Sequence, residues 1–162
     1  MSYLIIALVV AVVIGPVLWL KPSPREKQLQ RLRRCAHSEG LRVHLRAVPP
    51  NHGDGPRVVE PAIMAYIRPW SEQERKSSLP ATFTLPCLQG DWQSYRSKGI
   101  VGDELLRALP DSCRLLEVSE EGLLIYWRER GDESRVMQLR TTMEEICQAL
   151  LRGAGNKYAL KT

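Results

Sequence analysis

Few side chains in this sequence could bind a metal ion. Cys35 and His37 are separated by one residue and could form half of a zinc site, which would need a second such pair elsewhere. His37 and His44 fall on different predicted elements, and His52 lies in a loop-like segment rich in glycine and proline. We therefore expect no metal site and no bound cofactor.

The cysteines are scattered along the chain at intervals of 52, 26 and 34 residues, without a C-x-x-C pair. Such spacing is typical of free thiols in a reducing compartment, and two disulfide bridges are the alternative. The four residues are Cys35, Cys87, Cys113 and Cys147.

The sequence offers no recognisable catalytic machinery. It contains no glycine-rich phosphate loop, no G-x-S-x-G and no H-E-x-x-H motif, and no general base can be assigned to a cysteine. Two groups of aromatic and acidic side chains could line a pocket, although tryptophan is more often a core residue. We expect no catalytic residue and a non-enzymatic protein. The two groups are Asp91, Trp92 and Tyr95, and Tyr126, Trp127 and Glu129.

A membrane anchor is predicted at the start of the chain. Between Tyr3 and Leu20 there is no charged residue and no Asn, Gln, Ser or Thr. As a helix these residues would be about 27 Å long, close to a hydrocarbon core of about 30 Å. Their Leu, Ile and Val residues favour insertion by about 4 to 7 kcal/mol. No basic n-region precedes the segment and no small-x-small cleavage site follows it, so we expect Leu4–Leu20 to remain as an anchor over residues 1–20.

Three small residues spaced by four lie on one face of this predicted helix. Small-x-x-x-small faces allow the backbones of two membrane helices to approach closely. We therefore expect lateral packing against a membrane-protein partner or a second copy, with chance alignment as the alternative. The residues are Ala7, Ala11 and Gly15.

A basic segment follows the predicted anchor. Lys21–Pro50 has a net charge of +6, whereas residues 51–162 sum to −1. No Lys or Arg precedes the apolar segment, whereas six occur within the fourteen residues that follow it. From these counts the positive-inside rule predicts a cytoplasmic domain and an outside N-terminus in a bacterial inner membrane. We expect a basic juxtamembrane helix within residues 21–40, starting at Pro24 or Arg25 and stopped by Gly40. Its candidate membrane-surface residues are Lys21, Arg25, Lys27, Arg31, Arg33 and Arg34.

The juxtamembrane helix has two predicted geometries. Lying flat, it would bring each basic side chain to anionic lipid for about 1 kcal/mol apiece. Pointing away, it would place most of them more than a Debye length, about 8 Å, from the surface. RNA is not the expected partner, because no aromatic side chain is interleaved with these arginines. A third interpretation is that the charges only fix the orientation of the anchor.

Residues 41–153 are expected to form a small α+β domain in which an antiparallel β-meander is covered by helix. We predict strands at 41–48, 63–70 and 82–85, the last ended by Pro86, and a short helix at 103–109. Ser71–Pro80 is predicted as a loop or short helix. Cys113–Val118 and Leu123–Arg128 are predicted to form a hairpin. For 134–153 we prefer a strand at 135–139 and a helix at 142–152, because Thr141-x-x-Glu144 resembles a capping box. One long helix is the alternative, and residues 154–162 are expected to be a flexible tail.

The stretch "WLKPSPREKQLQRLRR" (Trp19–Arg34) resembles the YajC family, the small accessory subunit of the bacterial Sec translocon. That family has a short outside N-terminus, one membrane span and a proline-containing basic run. The resemblance covers about thirty residues. The family's glycine-rich "GDEV…GG"-type segment has no counterpart, because Gly102-Asp103-Glu104 leads into a predicted helix. The resemblance implies an accessory role in a membrane complex and assigns no site residue.

These observations together predict a single-pass, non-enzymatic accessory or assembly subunit of a bacterial inner-membrane complex. Its partners would be membrane lipid and a membrane protein or a second copy of the chain. The alternative is a tethered peripheral binding module whose basic segment contacts anionic lipid or RNA.

Overall fold

The computed structural model describes residues 23–49, 62–76, 80–88, 90–92 and 101–159, together with Tyr3, Ile6 and Val10. The chain divides into two compact units, Met1–Gln30 and Arg31–Thr162. In the first unit, Tyr3, Ile6 and Val10 are helical and their side chains are exposed. No helix within the described ranges is long and apolar enough to cross a membrane. Apart from Tyr3, Ile6 and Val10, the predicted anchor over residues 1–20 lies outside those ranges.

Helix α1 (Pro24–Ser38) forms where the sequence predicts it. The Ser23 hydroxyl accepts a hydrogen bond from the main-chain N–H of Glu26, whose carboxylate accepts one in return from the main-chain N–H of Ser23. This reciprocal pair is a capping box, with Pro24 in the first helical position. At the other end Gly40 has a φ of +77°, and the N–H of Leu41 donates to the carbonyl of Ala36. The predicted stop at Gly40 is thus confirmed as a glycine C-cap.

Six strands in the described part of the second unit form one antiparallel sheet, in the order β1-β2-β6-β5-β3-β4. The predicted α+β class is confirmed, but consecutive strands do not form the expected meander, because β2 pairs with β6 and β3 with β5. The strands are β1 (Arg42–Arg46), β2 (Ile63–Pro69), β3 (Phe83–Leu88), β4 (Asp91–Trp92), β5 (Cys113–Val118) and β6 (Gly122–Trp127).

Strand β6 lies at the centre of the sheet, and all six of its residues are buried. Its alternating side chains therefore face two apolar layers. One layer contains Leu124 and Tyr126 with Ile63, Ala65 and Ile67 of β2. The opposite face is the one on which the helices pack. An uninterrupted apolar run such as Leu123–Trp127 is typical of a strand covered on both sides.

Three further helices are described, of which α4 is the longest. Its apolar positions at intervals of 3-4-3-4 are all fully buried, so the single-helix alternative is confirmed and the preferred strand-plus-helix prediction is wrong. The apparent capping box failed because Glu144 bonds to Arg68 of β2 instead of to the backbone at Thr141. The helices are α2 (Glu72–Lys76), α3 (Asp103–Arg107) and α4 (Glu133–Ala159).

Other elements also differ from the sequence predictions. Strand β3 continues through Pro86, where its outer edge has no described partner because β4 pairs only with Cys87 and Leu88. The short strand β4 was not predicted. Helix α4 does not end at Gly153 but extends to Ala159, and the flexibility of residues 154–162 stays a prediction.

Candidate functional site

One cavity of the described residues lies where the β5–β6 hairpin meets the start of α4. It has a volume of about 320 Å³. Four arginines dominate its wall, and Asp111 is the one acidic side chain among the described lining residues. We call this cavity the arginine cleft, defined by Arg114, Arg128, Arg130 and Arg135 together with Pro110, Asp111, Ser112 and Gly131.

Arg114 reaches the cleft from an irregular position in β5. The pairing register shifts between Cys113, opposite Trp127, and Leu115, opposite Tyr126, so Arg114 is an extra residue in the strand. A bulge of this kind redirects a side chain out of the regular alternation. It explains why a residue between two buried neighbours can carry a charge at the cavity wall.

The floor of the cleft is held by hydrogen bonds between the two ends of the hairpin. The main-chain N–H of Arg128 donates to the carbonyl of Ser112, at 3.2 Å. The indole N–H of buried Trp127 donates to the Ser112 hydroxyl. These bonds fix the position from which Arg128 enters the cleft.

The start of α4 supplies the remaining wall. Gly131 has a φ of +120°, and a Cβ atom there would lie 2.7 Å from Cγ of Arg135. Glycine thus leaves the space that the Arg135 side chain occupies. The Arg135 guanidinium also donates to Oε1 of Gln138 at 2.9 Å, and Gln138 donates to the carbonyl of Ala108 at 2.7 Å. The wall is therefore built on a helix that is tied to the end of α3.

Basic side chains predominate among the lining residues of the cleft. Four arginines and one aspartate line it, although residues 51–162 as a whole sum to −1. Guanidinium groups present planar pairs of N–H donors that match carboxylate and phosphate oxygens. Chemically, the arrangement can bind a compact anion.

A second cavity, of about 280 Å³, lies next to the first and shares Pro110 and Asp111 with it. Asp91 and Trp92, predicted as possible pocket residues, both line it, whereas Tyr95 lies outside the described residues. Cys87 also lines this cavity, and burial raises the pKa of its thiol. A thiol of raised pKa is a poor nucleophile near neutral pH, so nothing here assigns a reaction.

The other predicted pocket group is part of the core. Tyr126 and Trp127 are 2% and 0% exposed, and Glu129 is 8% exposed. The Glu129 carboxylate accepts two hydrogen bonds from the Arg33 guanidinium, at 2.8 and 2.7 Å, and one from the Tyr66 hydroxyl, at 3.0 Å. We call these three residues the Arg33 clamp. It attaches the part of α1 beyond Arg31 to the end of β6.

The groups of the Arg33 clamp shift one another's pKa values. The hydrogen bonds that Arg33 donates to Glu129 raise the pKa of Arg33 despite partial burial. Burial, reinforced by the Glu129 charge, raises the pKa of Tyr66 far above its ordinary value, so the phenol stays protonated as a donor. Glu129 itself has a left-handed φ of 53°, which costs a non-glycine residue about 1 to 2 kcal/mol. The carboxylate's three bonds offset that cost.

A second ion-pair cluster joins β2, α2 and α4. Arg68 donates two hydrogen bonds to Glu74, at 2.6 and 2.8 Å, and two to Glu144, at 2.9 and 3.2 Å. Arg140 also donates to Glu144, at 2.7 Å, and the Arg68 guanidinium lies 5.9 Å from the Trp70 ring centre. Arg68 holds the pKa of Glu74 at about 2. We call this the Arg68 cluster, and its role is to fix the helices on the sheet.

The residues predicted to contact the membrane surface have different surroundings. Arg25, Lys27, Arg31 and Arg34 are exposed, whereas the Arg33 side chain is held in its clamp and is 39% exposed. Lys21 and the packing residues Ala7, Ala11 and Gly15 lie outside the described residues.

The predicted half of a metal site gains no further ligand in the described ranges. His37 and His44 are exposed, and Cys35 is half-buried with its thiol 4.0 Å from the carbonyl of Glu133. No group of three or more potential metal ligands occurs among the described residues. His52 lies outside them.

Sequence reasoning missed the arginine cleft. Its arginines are interspersed with acidic residues between positions 111 and 135, so no basic run marks them. The one available signal was Arg114, a charged residue inside an otherwise apolar strand, which suggests a bulge or a functional position.

Comparison of the chain with family models, with curated proteins and with solved structures finds no significant match.

Proposed function

We propose that this chain is a single-pass protein of a bacterial inner membrane whose folded domain serves as an accessory or assembly subunit of a membrane complex. The observation that carries the proposal is the apolar segment Tyr3–Leu20, preceded by no Lys or Arg and followed at once by six of them within fourteen residues. In this arrangement the N-terminus is outside and the domain is cytoplasmic. The resemblance of Trp19–Arg34 to the YajC family supports an accessory role.

The Arg33 clamp attaches the later part of α1 to the sheet of the domain. The second unit begins at Arg31, so about ten residues separate it from the end of the predicted anchor. From Arg31 onward, α1 is attached to the sheet by the Arg33 clamp and by the fully buried side chains of Leu32 and Ala36. The part of α1 from Arg31 onward therefore belongs to the domain, which suits a subunit that acts close to the membrane.

Binding suits the arginine cleft better than catalysis. An arginine guanidinium stays protonated in proteins and cannot act as a general base. The Ser112 hydroxyl already accepts a hydrogen bond from Trp127. Asp111 is then the one lining side chain in the described cleft that could transfer a proton.

The topology can be tested with reporter fusions to the last residue. Alkaline phosphatase becomes active outside the inner membrane and green fluorescent protein folds in the cytoplasm. We expect fluorescence without phosphatase activity, and a full-length chain that stays in the membrane after an alkaline carbonate wash. Phosphatase activity, or a mature chain that begins beyond residue 20, would overturn the proposal.

The packing face can be tested in the same membranes. Replacing Ala11 and Gly15 with Leu would separate two closely packed backbones, so crosslinking to the partner subunit or second copy should fall. The matched control replaces Val9 and Val13 with Leu on the opposite face of the predicted helix. Equal crosslinking in both variants would remove Ala7, Ala11 and Gly15 as the partner face.

A tethered module that contacts anionic lipid is the second candidate, favoured by the exposure of Arg25, Lys27, Arg31 and Arg34. Charge reversal at Arg31 and Arg34 should weaken binding to vesicles that contain phosphatidylglycerol, with little loss at neutral vesicles. Arg33 must be left intact, since its removal disturbs the clamp. Unchanged binding to anionic vesicles would exclude this function, and RNA binding lost in the same variant would favour RNA over lipid.

A further inference from the structure

We propose that the outer edge of β1 is a docking site for an extended segment of a partner protein in which acidic side chains alternate with apolar ones. The segment would add a strand to the sheet next to β1 (Arg42–Arg46) and would be held by main-chain hydrogen bonds. This goes beyond the accessory role proposed above and does not depend on the membrane topology.

Strand β1 is the longer of the two outermost strands that the structure describes. It has five residues, whereas β4 at the other end of the sheet has two. All five residues of β1 pair with β2 without a register shift, and no described strand pairs with its outer side. Alternate residues of such a strand direct their N–H and C=O groups away from the sheet, where another chain can bind them.

Two of the features that commonly prevent pairing at a sheet edge, proline and a β-bulge, are absent from β1. The start of the strand is fixed by the glycine C-cap at Gly40 and by the buried side chain of Leu41. A template that is already ordered loses little conformational freedom when a strand is added to it. The one protection that β1 carries is the charge of its side chains.

That charge acts against a second copy of this chain. Arg42, His44 and Arg46 occupy alternate positions of β1 and therefore lie on one face of the sheet. If β1 paired with its own copy and the faces matched, these basic residues would lie opposite one another. A pairing centred on His44, for example, would place Arg42 opposite Arg46, which is unfavourable for like charges. The same arrangement favours a strand that has acidic residues at these positions.

Two of the three basic side chains are available to recognise such a strand. Arg46 forms an ion pair with Glu121, so we assign it no role in recognition. Arg42 and His44 are exposed, and none of the described hydrogen bonds or ion pairs involves their side chains. The Arg42 guanidinium can donate two parallel hydrogen bonds to a carboxylate, and a ring N–H of His44 can donate one. Acidic residues opposite these two positions therefore match the edge.

The other face of β1 offers an apolar surface. Leu45 is 67% exposed and Val43 is half-buried. They lie on the same face as Met64 and Tyr66, their partners in β2, and Met64 is also half-buried. An apolar side chain opposite Leu45 would remove this surface from water. The two faces of β1 together select a segment in which acidic and apolar residues alternate.

Isothermal titration calorimetry on the full chain in neutral detergent tests the proposal with the peptide Thr-Glu-Val-Glu-Val-Glu-Thr, blocked at both ends. We expect this acidic peptide to bind to the wild type, and R42E/H44E to bind it at least about tenfold more weakly. The variant should instead bind Thr-Lys-Val-Lys-Val-Lys-Thr, which the wild type should not bind, and misfolding cannot produce such an exchange. The matched control R75E/K76E reverses two exposed charges on α2 and should bind the acidic peptide like the wild type. Equal weakening in R75E/K76E would mean that net charge, not β1, attracts the peptide.

Two measurements test whether the peptide binds as a strand. One version of the acidic peptide is N-methylated at both valines and another at its glutamates, so that both keep every charge. Because only alternate residues of an added strand face β1, one version should bind at least about tenfold more weakly than the other. Binding of both versions like the parent peptide would identify a purely electrostatic contact and overturn strand addition. Hydrogen exchange at residues 42–46 should also slow when the peptide is bound, whereas slow exchange at all five amides of the free chain would show that the edge is already covered.

Other occupants of the edge would give different results. Self-association of the chain that competes with the acidic peptide would assign β1 to a second copy. Displacement of the peptide by phosphatidylglycerol added to the micelles, but not by phosphatidylcholine, would assign Arg42 and His44 to a lipid surface. Either result overturns the proposal, as does wild-type protein that does not bind the acidic peptide at about 1 mM. Each variant is first checked by thermal unfolding, and if R42E/H44E does not fold, R42E serves, since Arg42 is exposed.

Discussion

The Arg68 cluster makes a quantitative prediction about acid sensitivity. Replacing Glu74 with Gln removes a carboxylate whose pKa Arg68 lowers from 4.5 to about 2. The full difference corresponds to about 3 kcal/mol of stability. Because the Glu74 side chain keeps 17% of its surface in water, screening should reduce the loss at pH 7 to about 2 kcal/mol.

The pH dependence has a definite sign. The folded-state pKa of Glu74 lies below its unfolded value, so its contribution is complete above about pH 5 and disappears as the pH falls toward 2. The wild type should therefore exceed Glu74→Gln in stability at pH 7, and the two should converge between pH 4.5 and 2.

The assay is urea unfolding of the full chain in neutral detergent, followed by near-ultraviolet circular dichroism at several pH values. Glu72→Gln is the matched control, because Glu72 lies on the same helix and is exposed. It should change stability by less than about 0.5 kcal/mol at any pH. A loss for Glu74→Gln that is the same at pH 3 and pH 7, or absent at pH 7, would refute the reasoning.

Three further perturbations test other features. Arg33→Gln leaves the buried Glu129 carboxylate with Tyr66 as its described donor, so the free energy of unfolding in urea should fall by about 2 to 3 kcal/mol. Arg33→Lys should recover part of this loss. Full stability in Arg33→Gln would show that the clamp is dispensable. A Cβ at Gly122 would overlap a main-chain oxygen of β2, so Gly122→Ala should lower the free energy of unfolding by about 3 kcal/mol. Gly102 has open space around it, so Gly102→Ala should leave the same measurement unchanged. Burial raises the pKa of Cys147 to about 12, so N-ethylmaleimide at pH 8 should modify the half-buried Cys35 before Cys147. Equal labelling of the two residues in mass spectrometry would contradict this.

Much of the local structure could be predicted from sequence because it depends on neighbouring residues. Helix α1 has a proline at its start and a glycine just after its end. The β5–β6 hairpin combines two apolar runs with a glycine at the turn. Where two local patterns competed, in α4, the longer apolar period prevailed, because burying five positions outweighs a single cap.

The sheet order and the arginine cleft could not be predicted in this way. The pairing of β2 with β6 joins Ala65 to Tyr126 across sixty-one positions of the chain, and no local pattern marks such a partner. The cleft depends on that pairing, on the bulge at Arg114 and on the missing side chain at Gly131, which leaves room for Arg135. These are tertiary features, and the seven acidic residues that are interspersed with the four arginines between 111 and 135 conceal them.

The insertion of the last hairpin into the middle of the sheet has a consequence for the order of events on the ribosome. Strands β2 and β3 do not pair with each other, so each lacks an inner neighbour until β5 and β6 have left the exit tunnel. A nascent chain that ends near residue 110 would hold two separate, unfinished pairs of strands, and isolated pairs are marginally stable in water. The sheet would then be completed late and in one step, and the unpaired edges of β2 and β3 would be accessible to other chains during translation. A chain of this kind would benefit from a chaperone that covers β2 and β3 until the final third has been synthesised.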